Sequence, residues 1–239
     1  MDVTTVADDL VVIHDGLDVR RYDELEADTE HDLDGVTVRT LPRPDGELLC
    51  CFATVNDVHF GEIEAGRIDD LREGPIRRAD PGATPYPEVM NRAAAAEMAA
   101  IDPAAVIVKG DLSVDGKPVE WEAFEACYRD PFGDRLHVVR GNHDASSPSD
   151  QALLRRMATI PNVVLLEPTP QTYTEAGVNG LVIAGFNDPR YFGDDDKENN
   201  KKQEPAAKAF NQAYAGRSRP DIVVSHEPGA VKLVTSATL

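Results

Sequence analysis

Apolar and polar positions change their rhythm near residue 47 of this chain. Before that point two short apolar stretches, Leu10–His14 and Val36–Leu41, stand as strand candidates joined by a polar, acidic segment. After it, short apolar runs alternate with stretches of helical spacing, the pattern of an α/β layered domain. Strands are predicted at Leu48–Val55, Ala105–Lys109, Leu136–Arg140, Val163–Leu166, Leu181–Ala184 and Ile222–Ser225. A Pro- and Gly-rich loop over Gly66–Pro85 precedes a helix opened by Pro87 and carried by an alanine-rich run to Ile101. Pro118–Arg129 places Trp121, Phe124, Cys127 and Tyr128 at helical spacing, and Ser149 caps a further helix over Ser149–Ala158. The run from Asp194 to Lys202 has no apolar anchor and reads as a mobile surface loop; a Ca²⁺ site in its aspartates is disfavoured because no Gly shapes the loop.

These elements divide the chain into an acidic N-terminal β-hairpin extension, 1–46, and a main domain, 47–239. With 239 residues the chain buries a substantial core, and 41% hydrophobic with 28% charged residues fits an ordinary globular protein. The apolar runs fall far short of the roughly 20 residues of a membrane span. The acidic start MDVTTVADDL lacks a basic-then-apolar leader, so the expected location is cytoplasmic. Cys50, Cys51 and Cys127 read as buried thiols in a reducing compartment, because adjacent strand residues point to opposite faces and cannot jointly bridge or ligate. Net charge is −19, with 43 acids against 24 bases, which excludes long nucleic acid as a partner and fits a highly soluble surface. An anionic substrate would have to be drawn in by bound cations.

Residues of one chemical kind follow the strand candidates. Asn56-Asp57-Val58-His59 follows the first, Gly110-Asp111 the second, and Gly141-Asn142-His143-Asp144 the third. Gly185-Phe186-Asn187-Asp188 follows Leu181–Ala184, and His226 follows Ile222–Ser225. Ligands of open α/β sheets bind beyond the carboxyl ends of strands, so five strands deliver ligand or acid–base side chains to one edge. Carboxylate, imidazole and amide oxygen without thiolate favour Mn, Fe or Zn. Two such ions about 4 Å apart bridge a hydroxide and clamp a phosphoryl oxygen during in-line displacement. Asp111 is the natural bridging carboxylate, since Gly110 lets the backbone turn tightly there. Asn187, Asp188 and Arg190 lie on the same edge, with an Asn-Asp-Pro turn as their default role and substrate contact as the alternative. His14, His31 and His137 read as structural or exposed.

The ordered blocks Asp57-Val58-His59, Gly110-Asp111, Gly141-Asn142-His143-Asp144 and the strand-end His226 resemble the signature of the calcineurin-like metallophosphoesterases over roughly residues 50 to 230. The resemblance implies two facing mixed β-sheets flanked by helices. It implies that Asp57 and His59 hold the first metal, that Asp111 bridges, and that Asn142 and His226 hold the second. His143 would face the scissile phosphate as stabiliser or acid, with Asp144 orienting its imidazole. The segment Tyr22–Thr54 also resembles the tail of a small β-sandwich module leading into such a domain, although an antiparallel edge hairpin of the main domain is the expectation.

The family signature closes with a Gly-His-x-His block, and the sequence reaches Leu239, thirteen residues past His226, without one. The expectation is therefore a truncated chain or an incomplete site. The function implied is hydrolysis of a small phosphodiester, with a lean toward cyclic nucleotides, by a hydroxide bridging two ions. A phosphomonoesterase of the same fold is the nearest alternative, and a non-catalytic binding scaffold the rival of another class. Retention of His143 and Asp144 favours the enzyme.

Overall fold

A computed structural model describes residues 1–16, 18–65, 76–145, 163–165, 175–191 and 199–234. The predicted helix over Ser149–Ala158, residues 66–75 of the predicted loop and Asp194–Glu198 lie outside the described residues. Packing divides the chain into two compact units, Met1–Leu48 and Leu49–Leu239.

The first unit has five strands where the apolar pattern pointed to two. Strands β1 (Asp2–Val6), β2 (Val11–Asp15) and β3 (Asp18–Tyr22) form an antiparallel sheet, and β4 (Glu30–Leu33) pairs with β5 (Val36–Arg39). The last pair is a two-residue hairpin in which Asp34 and Gly35 both take positive φ, 54° and 83°, as a turn matched to strand twist requires. Val11, Ile13, Leu33 and Val38 make a core of the unit's own. The additional strands carry mostly polar or charged residues that are exposed or half-buried, so the sequence offers little alternation to reveal them.

In the second unit, β6 (Phe52–Val55) precedes a short antiparallel pair, β7 (Glu64–Ala65) and β8 (Arg77–Arg78), the latter inside the predicted loop. Strands β6, β9 (Ala105–Lys109), β10 (Leu136–Val139) and β11 (Val163–Leu165) form a sheet in the order β11-β10-β9-β6. All three of its pairings among the described residues are parallel, where a mixed sheet was expected. A second sheet, β12 (Glu175–Val178), β13 (Leu181–Phe186) and β14 (Ile222–Ser225), is mixed. Side chains of β9 alternate as a pleat demands. Val106 and Val108 join Met98, Trp121, Phe124 and Tyr128 of the helices, while Ala105 and Ile107 join Val139, Ile183 and Val224. Buried on both faces, β9 reads as the continuous apolar run Ala-Val-Ile-Val.

Helix α1 (Tyr86–Ile101) has proline in its first turn and ends where Asp102 turns left-handed at φ 53°. Pro118–Phe124 is α-helical and passes into a π-helical turn, Glu125–Arg129, that buries Tyr128. Two expectations fail. Leu48–Cys51 is not strand, because β6 pairs with β9 starting from Phe52 opposite Ala105, and Leu48 and Leu49 stand 88% and 68% exposed. Consequently Cys51 is exposed and Cys50 half-buried; Cys127 is half-buried too, and all three thiols are free. Asn199–Lys202 is also helical rather than loop, since it begins a helix running to Tyr214 that is anchored later by Gln203, Phe210 and Tyr214. Among the described residues no helix is long and apolar enough to cross a membrane.

Candidate metal centre

Parallel pairing carries the ends of β6, β9 and β10 to one edge, where Asp57, Asp111 and Asn142 follow. β13 and β14 are also parallel, and their ends reach the same place: Asp188 N–H donates to the Arg140 carbonyl at 2.8 Å, and His226 Nδ1 meets the Lys109 carbonyl at 2.8 Å. The loops after β6 and β9 stay paired beyond their strands through His59 N–H to Asp111 O, 2.9 Å, and Phe60 N–H to Leu112 O, 3.1 Å. Helix α1 pins the same segment, because Asn91 Nδ2 donates to the Val58 carbonyl at 2.6 Å while Tyr128 Oη donates to Asn91 Oδ1 at 2.8 Å.

Asp57, His59 and Asp111 adopt left-handed backbone, with φ of 53°, 45° and 49°. Such conformations are uncommon for residues other than glycine and concentrate at functional sites. Two glycines permit the close approach of the loops. A Cβ on Gly110 would lie 2.6 Å from the His226 ring, and one on Gly141 would lie 2.1 Å from Asp111 Oδ1.

Hydrogen-bond roles fix the tautomers. A carbonyl only accepts, so His226 Nδ1 carries the hydrogen and Nε2 presents a lone pair. That lone pair lies 3.2 Å from Asn142 Oδ1 and 3.4 Å from Asp111 Oδ2. His59 Nδ1 donates to Glu62 Oε2 at 3.3 Å, which turns its Nε2 toward Asp111 Oδ2 at 3.2 Å, with Asp57 Oδ1 at 4.0 Å. With both rings neutral, acceptor would face acceptor around Asp111 Oδ2, an arrangement that a cation, either a proton or a metal ion, resolves. Burial opposes charge on His59, but the Asp111 hydrogen bond and the charges of Asp111, Glu62 and Asp57 outweigh it and push the imidazole up to about 8. A metal ion bound there would compete with that proton. Burial likewise resists ionisation of Asp111, yet the hydrogen bond from His59 and the charge of His226 hold its carboxyl below the usual range.

Ligand atoms of His59, Asp111 and His143 lie within 4.8 Å of one another, as do those of Asp57, Asp111 and His226. Asp111 belongs to both groups. All five predicted metal residues gather here, and the donor set of carboxylate, imidazole and amide oxygen fits borderline ions such as Mn, Fe or Zn.

His143, expected to face substrate, belongs to the first of these groups, its ring 5.0 Å from that of His59 and its Nδ1 3.1 Å from the Val114 carbonyl. Asp144 does not orient that ring, contrary to expectation. Its fully buried carboxylate turns inward and accepts from Ser113 N, Ser113 Oγ and Gly141 N at 2.9, 3.1 and 2.8 Å, tying two ligand loops together. Burial, together with the charge of Asp111, pushes its carboxyl up to about 7. Sequence reasoning missed Glu62 and Glu227. Glu62 lies three residues past His59, a spacing that brings it to the ring through the turn at Gly61, φ 96°. Asn187 and Asp188 are buried and hydrogen-bonded rather than open to a ligand.

Imidazole, carboxylate and amide oxygen converging on the carboxyl edge of a parallel sheet define a metal centre in an α/β domain. The chain belongs to the calcineurin-like phosphoesterase family, whose profile matches residues 52–235 and so includes every candidate ligand. That family is one of metal-dependent phosphoester hydrolases. A comparison with curated proteins found no match.

Proposed function

We propose that the chain hydrolyses a small phosphodiester, a cyclic nucleotide being the first to test, at a centre of two ions held by Asp57, His59, Asp111, Asn142 and His226. The observation that carries the reading is the convergence of two imidazole Nε2 atoms on Asp111 Oδ2 from two sides, His59 at 3.2 Å and His226 at 3.4 Å. When bound, such ions supply a nucleophile at neutral pH and offset phosphoryl charge. Glu62 and the Lys109 carbonyl hold the two imidazoles in the ligating tautomer. His143, held through Nδ1 by the Val114 carbonyl, leaves Nε2 to face the phosphate, as stabiliser or, once it takes up a proton, as acid to the leaving oxygen. The shared cluster of Ala105, Ile107, Val139, Ile183 and Val224 supports the expected face-to-face packing of two sheets.

A cleft of about 330 Å³ opens beside Asp57, walled by Val55, Val58, Pro87 and Met90, with Glu62 as a further carboxylate. Its size matches the lower end of small-molecule sites, and its lining suits an uncharged organic group rather than a second phosphate. A net charge of −19 further disfavours a polyanion. The test is hydrolysis of a chromogenic phosphodiester and the matching monoester with added Mn²⁺, with and without chelator. Chelator-sensitive turnover of the diester supports the proposal. Preference for the monoester reassigns the chain as a phosphomonoesterase, and turnover of neither supports a binding scaffold.

A further inference from the structure

The turn after β13, Asn187-Asp188-Pro189-Arg190, is locked to the loop bearing Asn142. Arg140, two residues before Asn142 and 4% exposed, donates its backbone N–H to Asn187 Oδ1 at 2.6 Å. Its guanidinium donates to the Asp188 carbonyl and, at 3.0 Å, to that of Arg190. The Asp188 carboxylate is fully buried and accepts from Arg190 Nε at 3.1 Å and Nη2 at 2.7 Å, and from Gln203 Nε2 at 3.1 Å. Held in this fork, Arg190 Nη2 reaches Glu227 Oε2 at 3.0 Å and Asn142 Oδ1 at 3.5 Å. Glu227 directly follows His226, so one guanidinium touches both loops that carry a ligand pair.

An asparagine tip has two faces of opposite character, a carbonyl oxygen that accepts and an amino group that donates. His226 Nε2 presents a lone pair 3.2 Å from that tip, because Nδ1 gives its hydrogen to Lys109. Taken alone, the pair would gain by rotating the amide so that its amino group donates to Nε2. That rotation would satisfy His226 with a neutral hydrogen bond and close the metal position. Arginine has no acceptor. The two hydrogens of its Nη2 go to Asp188 and Glu227, and at 3.5 Å this positive donor edge still favours the amide oxygen, whereas the rotated amide would set donor against donor.

We propose that Arg190 is a positioning residue that keeps the oxygen of Asn142, not its nitrogen, turned toward His226, so that one metal position is formed before an ion arrives. This rests on the metal-centre reading above. Partners of this outer kind alter metal affinity by about 10–100-fold. The experiment is Mn²⁺ titration of the 239-residue chain by calorimetry and electron paramagnetic resonance. Arg190→Lys keeps a cation for Asp188 and Glu227, so the fold is retained, but a point donor cannot fork Asp188 and also reach Asn142. It is expected to weaken one Mn²⁺ step about 10–100-fold and leave the other unchanged. Adding Asn142→Asp is expected to restore the weakened step, because a carboxylate has no amino face to turn. The proposal is overturned if neither step weakens, if both weaken together, or if Asn142→Asp alone binds normally yet fails to rescue the Arg190→Lys chain. Absence of any Mn²⁺ binding by the unaltered chain would instead refute the metal-centre reading itself.

Discussion

Adding one methyl group at Gly141 tests how closely the loops are packed. Gly141 has no positive φ, so alanine is conformationally acceptable there and the effect is steric. Its Cβ would lie 2.1 Å from Asp111 Oδ1 and 2.3 Å from Asp111 N, against 3.4 Å for ordinary contact. The Asp111 and Asn142 loops must separate by more than an ångström, and the 3.0 Å bond from His143 N–H to Asp111 Oδ1 would break. Overpacking of this kind costs about 1–3 kcal/mol. For a domain of this size each kcal/mol lowers Tm by about 2–4 °C. A displacement of that order at a reacting centre costs roughly 10²-fold in turnover. Gly177→Ala is the control, since nothing among the described residues lies within 4 Å of its added Cβ. The assays are thermal unfolding, bound-metal analysis and phosphodiester turnover, side by side for both variants. Native Tm, metal content and turnover in Gly141→Ala would refute the reasoning.

Asp111→Ala is expected to lose both ions and Asp57→Ala no more than one, which elemental analysis of the two purified variants reads directly; full occupancy in Asp111→Ala would exclude the bridge. His143→Ala is expected to keep its metals and lose turnover by roughly 10²–10⁴-fold, less for substrates with good leaving groups. Equal losses across leaving groups would assign His143 to charge stabilisation instead. Burial pushes the Cys127 thiol up to about 11, whereas Cys51 is exposed. At pH 8 iodoacetamide is expected to label Cys51 about 10²-fold faster than Cys127, read by peptide mass spectrometry, and equal rates would contradict the burial of Cys127.

The ligand blocks were legible in sequence because each sits directly after an apolar run, and parallel pairing then brings the run ends together. The roles of their neighbours were not legible. Asp144 follows His143, which invites a His–Asp pair, but its carboxylate turns inward to Ser113 and Gly141 instead. Arg190 and Asn142 are 48 residues apart, and nothing local marks their contact. The apolar run Leu48–Cys51 promised strand, yet pairing with β9 begins at Phe52. In the first unit the turn at Asp34-Gly35 went unread, and the mostly polar, largely exposed strands on either side of β2 show no alternation.

The left-handed backbone at Asp57, His59 and Asp111 sets folding and chemistry against each other. Glycine occupies that region without strain, so at each of these positions a glycine would relieve the backbone of the metal-free chain even as it removed a donor atom. A search for hardier variants that screens on heat resistance alone would therefore be drawn to the residues proposed as metal ligands. Screens on this protein have to couple heat resistance to turnover, or they will select a sturdier and inert chain.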